Sequence, residues 1–167
     1  MIFKSGNKQI VISMATTIRD IMRIGIETIE DTASAQQAAK KMKDKHVSSL
    51  VVVDENGKAK GIVSERDLVT KVCTADVSVN TIKNKEIMSS PLITISSRSS
   101  PSEAADMMLQ HNVRHLLVFD NSGNNHNDDD DANTPIGIVT PLDFTRYQGD
   151  IDNTDRDAIE KILEYYR

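Results

Sequence analysis

The sequence predicts an α+β fold in which two β-α-β-β-α repeats pack sheet to sheet with approximate two-fold symmetry, followed by a C-terminal helix. Residues 61–67 read Gly-Ile-Val-Ser-Glu-Arg-Asp, and residues 137–143 read Gly-Ile-Val-Thr-Pro-Leu-Asp. The chain before them also repeats, with a constant offset of 66 residues from Ile21-Met22 to Gly57. A unit of ~55 residues buries too little core by itself, so we expect the two copies to share one.

The first repeat is expected to span residues 17–76, after an N-terminal arm at 1–16. It opens with an amphipathic helical turn, then a short strand at Thr28-Ile29. The pattern Ser34-x-x-Gln37 is a capping box, and it predicts a helix to about Lys45. Four apolar residues at helical spacing form the inner face of that helix: Ala35, Ala38, Ala39 and Met42.

A hairpin and a second helix complete the first repeat. Residues 47–53 are rich in β-formers, Asn56-Gly57 is a strong hairpin signal, and residues 59–63 form the returning strand. Ser64 followed by Asp67 is typical of a helix N-terminus. The inner face of this helix is expected to carry Leu68, Val69 and Val72.

The second repeat is expected to span residues 82–148 with the same order of elements. Its first long helix has Ser100 as the cap and Pro101 at the first helical position. The offset rises from 66 to 76 within the hairpin, so this copy carries ten extra residues, 124–133. They are mostly Asn and Asp and lack the Gly and terminal Glu of a calcium-binding loop, so we interpret them as a solvated loop.

The C-terminal segment 153–167 predicts one more helix, with an apolar face formed by Ile159, Ile162, Leu163 and Tyr166. This face packs on its own domain or covers a dimer surface, and the sequence leaves both open.

Composition excludes several classes of function. The net charge of −5 disfavours nucleic-acid binding, and no apolar run is long enough to cross a membrane. The single cysteine, Cys73, fits a reducing compartment, and no signal peptide is apparent, so we expect a cytoplasmic protein. No nucleophile–base pair, Walker-type loop or metal cluster stands out, so an enzyme is not expected.

The order and spacing of these segments, from Ile21-Met22 to Asp143, resemble a tandem pair of cystathionine-beta-synthase-type (CBS) domains, a Bateman module. The resemblance covers roughly residues 17–147. It implies a regulatory module that senses an adenosine-containing ligand (AMP, ADP, ATP or S-adenosylmethionine) in a cleft between the repeats. It also implies a homodimer that signals to an unknown effector protein, with no required cofactor.

Asp67 and Asp143 each have two possible roles. Each lies three residues after a hydroxyl residue, which suits a helix cap. The resemblance implies that this carboxylate also accepts hydrogen bonds from the ribose hydroxyls, with Ser64 or Thr140 near the ribose or phosphate. The two roles are compatible, because a carboxylate has two acceptor oxygens.

The resemblance also implies that each cleft takes its Asp from one repeat and its purine-facing wall from the other. The Asp143 cleft would be lined by Glu27, Val47, Ser48, Ile138 and Thr140, and we expect it to be the occupied one if only one cleft is filled. The Asp67 cleft would be lined by Ile62, Ser64, Ile93, Val113 and Arg114. For the apolar members, plain core packing is the alternative.

Arg114 and His115 replace Ser48 and Ser49 of the first copy, on what we expect to be a strand. Charge entering an apolar strand is unfavourable unless paired, so these residues either reach solvent at an edge or contact a phosphate. His46 and Arg66 are weaker candidates for that contact. The sequence thus leaves two hypotheses: a ligand-sensing module, and a structural dimerisation or interaction module with no bound nucleotide.

Overall fold

The computed structural model describes residues 16–75, 77–120, 135–147, 149 and 151–167. Nearly all of the expected N-terminal arm and the whole acidic insertion, 124–133, lie outside the described residues. No helix within the described ranges is both long enough and apolar enough to cross a membrane.

The first repeat follows the expected order of elements. In chain order these are α1 (Ile18–Ile21), β1 (Arg23–Ile24), β2 (Thr28–Glu30), α2 (Ala35–Lys45), β3 (Ser49–Val53), β4 (Ala59–Ser64) and α3 (Glu65–Asp67), which continues as a π-helical turn (Leu68–Val72). The Ser34 hydroxyl accepts from the Gln37 N–H at 3.2 Å, and Gln37 Oε1 accepts from the Ser34 N–H at 2.8 Å, which confirms the capping box. His46 ends α2 in the left-handed conformation (φ 53°).

The second repeat has equivalent elements. They are α4 (Asn84–Ile87), β5 (Thr94–Ser96), α5 (Pro101–His111), β6 (Leu116–Phe119), β7 (Gly137–Val139) and α6 (Pro141–Arg146). Ser100 and Glu103 cap α5, and Asn112 ends it at φ 52°, as His46 ends α2. The C-terminal helix α7 (Asn153–Tyr165) follows.

The two repeats form two sheets whose faces pack against each other. One sheet has the order β2-β3-β4, and the other has the order β1-β7-β6-β5. Val51, Leu117 and Ile138 are buried between them, whereas separate clusters lie under the helices of each repeat. This architecture confirms the predicted α+β fold of two packed repeats with a C-terminal helix.

The sheets also exchange backbone at their edges, which the sequence did not reveal. β1 comes from the first repeat but pairs with β7 of the second, with Arg23 opposite Ile138. The same crossing occurs in the other direction, where Ser89 bridges Ile62. The positions correspond under the repeat offsets, so the exchange follows the two-fold symmetry.

The C-terminal helix packs on its own domain. Ala158, Ile159 and Ile162 are buried in the core of the second repeat, to which α5 also contributes residues. Asp155 Oδ1 accepts from the Ser102 N–H at 2.9 Å and so connects α7 to the first turn of α5. The packing on its own domain is therefore confirmed for this helix.

Three local predictions are wrong. Ala39 was expected on the inner face of α2, but it is exposed, while Ala35, Ala38 and Met42 are buried as expected. Val69 was expected on an inner helix face, but it is 60% exposed, while Val72 is buried. The cause is the π-helical turn, in which the Cys73 N–H donates to the Leu68 carbonyl five residues back and rotates the face. Arg114 and His115 do not lie on a strand either, because β6 begins only at Leu116.

Candidate functional site

The repeated Asp residues are buried at the start of the helices that follow β4 and β7. Asp67 Oδ2 accepts from the Ser64 N–H at 2.9 Å and from the Ser64 hydroxyl at 2.6 Å. Asp143 Oδ2 accepts from the Thr140 N–H at 2.8 Å and from the Thr140 hydroxyl at 2.6 Å. Both residues therefore act as helix caps through Oδ2, and only Oδ1 remains for other partners.

Oδ1 of each Asp faces a cation, but the two cations differ. Lys71 Nζ lies 2.8 Å from Asp67 Oδ1, and the Ser89 hydroxyl lies 3.5 Å from the same oxygen. Arg23 Nε lies 3.0 Å from Asp143 Oδ1. Burial raises the pKa of Asp67, but hydrogen bonds from Lys71 and Ser64 outweigh it, so this pKa lies below its ordinary value.

The Asp67 cleft is a continuous cavity of about 290 Å³. It brings together all the residues that were expected there, plus His115: Ile62, Ser64, Asp67, Ile93, Val113, Arg114 and His115. Its lining combines apolar side chains with the Asp67 carboxylate and with basic residues. This arrangement offers a flat apolar ligand part, a hydroxyl donor and an anion separate places to bind.

The Asp143 cleft is divided. Glu27, Val47 and Ile138 line a small cavity of about 160 Å³, while Thr140 and Ser48 line a different one. Arg23 and Val47 line both cavities, and Asp143 lines neither of these two. Glu27 is also engaged elsewhere, since Lys41 and Lys45 of α2 lie 3.4 and 3.5 Å from its carboxylate.

The larger of these cavities, which we call the basic cavity, has a volume of about 670 Å³ and lies between the two clefts. Five lysine and arginine residues line it but only one acid, Glu65; the cations are Arg23, Lys43, Arg66, Arg114 and Arg146. His46 and Pro141 also line it. In a chain of net charge −5, such a local excess of positive charge marks a place for an anion.

His115 lies where the Asp67 cleft and the basic cavity meet. Its pKa is lowered to about 4, chiefly by burial and also by the positive charges of Arg114 and Arg23, against the opposing effect of Asp67. The imidazole is therefore neutral near pH 7 and is available as a hydrogen-bond donor or acceptor.

The C-terminal helix contributes to the same region. Leu163 and Tyr166 line the basic cavity. The Tyr166 hydroxyl donates to the Val113 carbonyl at 3.0 Å, and the Arg114 guanidinium lies 5.8 Å from the centre of the Tyr166 ring. Tyr166, which directly follows the last residue of α7, thus contacts two residues of the Asp67 cleft, Val113 and Arg114.

Sequence reasoning missed Arg23, Lys71 and Ser89 as neighbours of the two carboxylates. A signal existed for two of them, because the offset of 66 aligns Arg23 with Ser89 and so exposes a difference between the copies. It also missed Lys43 and Arg146 in the basic cavity, which belong to separate helices and meet only in the fold. Among the described residues, no group of three or more His, Cys, Asp or Glu side chains is arranged to hold a metal ion.

Comparison with known proteins identifies CBS domains in both repeats. A family model described as "CBS domain" matches residues 18–73 and 85–150. An uncharacterised protein of Methanopyrus kandleri is 28% identical over 150 residues, which are 90% of this chain and 71% of that protein.

Solved structures share the fold. A CBS domain protein of unknown function from Thermoplasma acidophilum has a TM-score of 0.73 at 24% identity, over 92% of this chain and 78% of that one. A CBS domain pair solved in complex with 5′-methylthioadenosine and S-adenosyl-L-methionine has a TM-score of 0.64 at 26% identity. That comparison covers 80% of this chain and 95% of the other.

Proposed function

This chain belongs to the CBS domain family, and from that premise we propose that it is a regulatory module, not an enzyme, which binds an adenine nucleotide between its repeats. The nucleoside occupies the Asp67 cleft, and the phosphates extend into the basic cavity. This assignment replaces the Asp143 cleft, which the sequence favoured.

The adjacency of the two cavities carries the proposal. The Asp67 cleft and the basic cavity share four residues: Ser64, Arg66, Arg114 and His115. A single ligand can therefore place an apolar ring against Ile62, Ile93 and Val113 and still reach the cations with its other end. Arginine suits that end, because its guanidinium forms paired hydrogen bonds with phosphate oxygens.

The ribose would bind at Asp67 Oδ1, because the helix cap uses only the other carboxylate oxygen, Oδ2. Lys71 currently faces this oxygen, with 41% of its side chain exposed. Its flexible stem allows the ammonium to shift when a ribose hydroxyl approaches. The same carboxylate then serves the cap through Oδ2 and the ligand through Oδ1.

The charge of the basic cavity supports AMP, ADP or ATP over S-adenosylmethionine as the ligand. The methionine part of S-adenosylmethionine carries a sulfonium cation, which five lysine and arginine side chains would repel. A phosphate chain instead gains from them, above all from Arg66 and Arg114, which also line the Asp67 cleft. We therefore propose that affinity increases with the number of phosphates.

Isothermal titration calorimetry with adenosine, AMP, ADP, ATP and S-adenosylmethionine tests this proposal. We expect affinity to rise from adenosine to ATP, to fall as salt increases, and to be weakest for S-adenosylmethionine. Arg114→Gln should reduce ATP affinity at least tenfold and adenosine affinity little. Absence of binding by every nucleotide at millimolar concentration would refute the proposal.

A module with empty clefts remains the second candidate function. One observation favours it: Lys71 and Arg23 already neutralise the two carboxylates without a ligand. Such a module would act only by interaction, and none of the nucleotides above would raise its melting temperature.

We further propose that the module works as a cytoplasmic homodimer and passes the ligand signal to a separate effector protein. Val69 and Leu142 support a second copy as the partner, because both are more than half exposed and lie on the equivalent segments after β4 and β7. Sedimentation equilibrium of the full chain and of the V69D/L142D variant tests this, with a monomeric wild type as the contradicting outcome.

A further inference from the structure

The two clefts are equivalent by the repeat but differ at one position on the exchanged strands. In the Asp67 cleft this position is Ser89, whose hydroxyl lies 3.5 Å from Asp67 Oδ1. In the Asp143 cleft it is Arg23, whose Nε lies 3.0 Å from Asp143 Oδ1. A short neutral side chain thus faces one carboxylate, and a long cationic one faces the other.

The Arg23 side chain takes the place where a ribose would approach Asp143. Oδ2 of Asp143 is already used by Thr140, and Oδ1 faces the guanidinium. Only 2% of the Asp143 side chain is exposed, compared with 12% for Asp67. Arg23 and Val47 both border the 160 Å³ and the 670 Å³ cavities, and Arg23 brings the charge that faces Asp143 to this place.

Arg23 and the lysine that faces Asp67 reach their carboxylates from different elements. Its backbone is part of β1 and pairs with Ile138 of β7, the strand that leads directly to Thr140. Lys71 instead lies one helical turn after Asp67 and lines the same cavity as that residue. Lys71 Nζ also donates to the Ile87 carbonyl at 2.6 Å, so its ammonium is held beside its own cleft, whereas Arg23 comes from the exchanged strand and borders two cavities.

The contact between Arg23 and Asp143 depends on charge. Although the two atoms are 3.0 Å apart, Nε has no hydrogen-bond partner among the described residues, because its N–H is not aligned with the oxygen. The Nε atom is buried although 37% of the Arg23 side chain is exposed, so the two opposite charges attract each other even without this alignment. A neutral residue at position 23 would remove the attraction and leave the carboxylate facing the cavity.

We propose that Arg23 closes the Asp143 cleft, so that each chain binds one nucleotide, in the Asp67 cleft. The inference rests on the proposed function, since it assigns the stoichiometry and the position of the same ligand. Arg23 is then the residue that decides which of the two repeated sites is open.

Calorimetric stoichiometry with AMP tests the inference on the full chain. Wild type should bind one AMP per chain, Asp67→Asn should lose at least tenfold in affinity, and Asp143→Asn should bind as wild type does. Asparagine keeps an oxygen that can accept from the cap N–H in either variant. Arg23→Ser, which copies Ser89, should bind two AMP per chain, and the second site should disappear in the R23S/D143N variant.

Arg19→Ser is the matched control for the loss of one positive charge, because Arg19 pairs with Asp120 and not with a cleft carboxylate. It should keep one site. Two sites in wild type, one site in a folded Arg23→Ser variant, or loss of wild-type binding in Asp143→Asn would each overturn the inference while leaving nucleotide binding intact. If Arg23→Ser does not fold, the inference is still tested by the number of AMP molecules bound per wild-type chain and by the affinities of Asp67→Asn and Asp143→Asn.

Other outcomes of the same experiment would contradict the proposed function instead of the role of Arg23. No binding to wild type, together with one site in Arg23→Ser that Asp143→Asn removes, would overturn the Asp67 assignment and support the role of Arg23. No binding by either protein would overturn both.

Discussion

Gly61 and Gly137 lead the two repeated segments, and each lies where backbone from the other repeat crosses it. A Cβ on Gly61 would lie 2.8 Å from the Ser89 carbonyl oxygen and 2.7 Å from Met88 Sδ. A Cβ on Gly137 would be equally close to the Arg23 carbonyl oxygen and Met22 Sδ. The glycines are therefore required by the strand exchange, although the sequence indicated only that they begin a strand.

Replacing Gly61 by alanine should destabilise the protein. The Ser89 carbonyl cannot retreat easily, because Ser89 and Ile62 hydrogen-bond to each other in both directions, at 3.0 and 2.8 Å. We expect a loss of ~1–3 kcal/mol in the free energy of unfolding, the usual range for overpacking, measured by urea denaturation. Lys60→Ala, at an exposed position of the same strand, is the control and should change it by less than ~1 kcal/mol. Equal effects of the two substitutions would contradict the steric explanation.

His115 gives a prediction about pH. Its folded pKa of about 4 lies below the ordinary value of 6.5, so as the pH falls the unfolded chain takes up this proton first. The contribution of His115 is fully present above pH 6.5 and is lost as the pH falls through 4. We expect it to amount to at most ~3.5 kcal/mol, since the two pKa values differ by about 2.5 and one pKa unit corresponds to ~1.4 kcal/mol.

The measurement is the difference in unfolding free energy between pH 7 and pH 4.5, for wild type and for His115→Gln. The variant should show a smaller decrease than wild type. His111→Gln, at an exposed position, controls for the loss of an imidazole. An unchanged pH profile in His115→Gln would contradict the assignment of the buried neutral histidine.

At the scale of elements, α7 is joined to the second repeat at both of its ends. Near its start, Asp155 is buried and accepts from the Ser102 N–H at 2.9 Å, and near its end the Tyr166 hydroxyl donates to the Val113 carbonyl. Between them, Ile159 and Ile162 are in the core. This helix is consequently a structural part of the module and reaches the residues of the Asp67 cleft.

Asp155→Ala should be much more destabilising than Asp157→Ala two residues later. Removing the Asp155 carboxylate leaves the Ser102 N–H without this acceptor in a partly buried place, which costs ~1–3 kcal/mol. Asp157 is exposed on the same helix, so its replacement should change stability by less than ~0.5 kcal/mol. Thermal and urea unfolding measure both, and comparable losses would argue that α7 is only loosely attached.

The elements themselves were well predicted, because their signals are local. The capping boxes at Ser34 and Ser100 and the Asn56-Gly57 turn each act within a few residues, and the structure confirms them. The role of Arg23 could not be predicted in this way. Its partner Asp143 is far along the chain, and the repeat offset aligns Arg23 with Ser89 without indicating which sheet either residue joins. The basic cavity could not be predicted for the same reason, since its cations come from β1, several helices and a loop that meet only in the fold.

At the scale of the whole molecule, the exchanged strands connect the repeats into one folding unit. Each sheet is completed at one edge by backbone from the other half, and Val51, Leu117 and Ile138 are buried only where the two sheets meet. Neither repeat has a complete sheet edge or a covered sheet face without the other. Unfolding of one repeat should therefore expose the sheet edge and the buried sheet face of the other repeat.

The tyrosines make this cooperativity measurable. All three, Tyr147, Tyr165 and Tyr166, lie at the C-terminal end of the chain, and there is no tryptophan, so tyrosine fluorescence reports on the second repeat and α7. Leu50, which is 1% exposed, lies in the core of the first repeat. Leu50→Ala should remove ~2–5 kcal/mol of stability.

If the repeats unfold together, Leu50→Ala lowers the urea midpoint of tyrosine fluorescence as much as that of far-ultraviolet circular dichroism. Leu116→Ala, at the equivalent position of the second repeat and also buried, is the matched variant and should behave in the same way. If Leu116→Ala lowers the fluorescence midpoint but Leu50→Ala leaves it unchanged, the repeats unfold independently. In that event the strand exchange would contribute little to stability, and a ligand bound in one cleft would have no means of altering the packing of one repeat against the other.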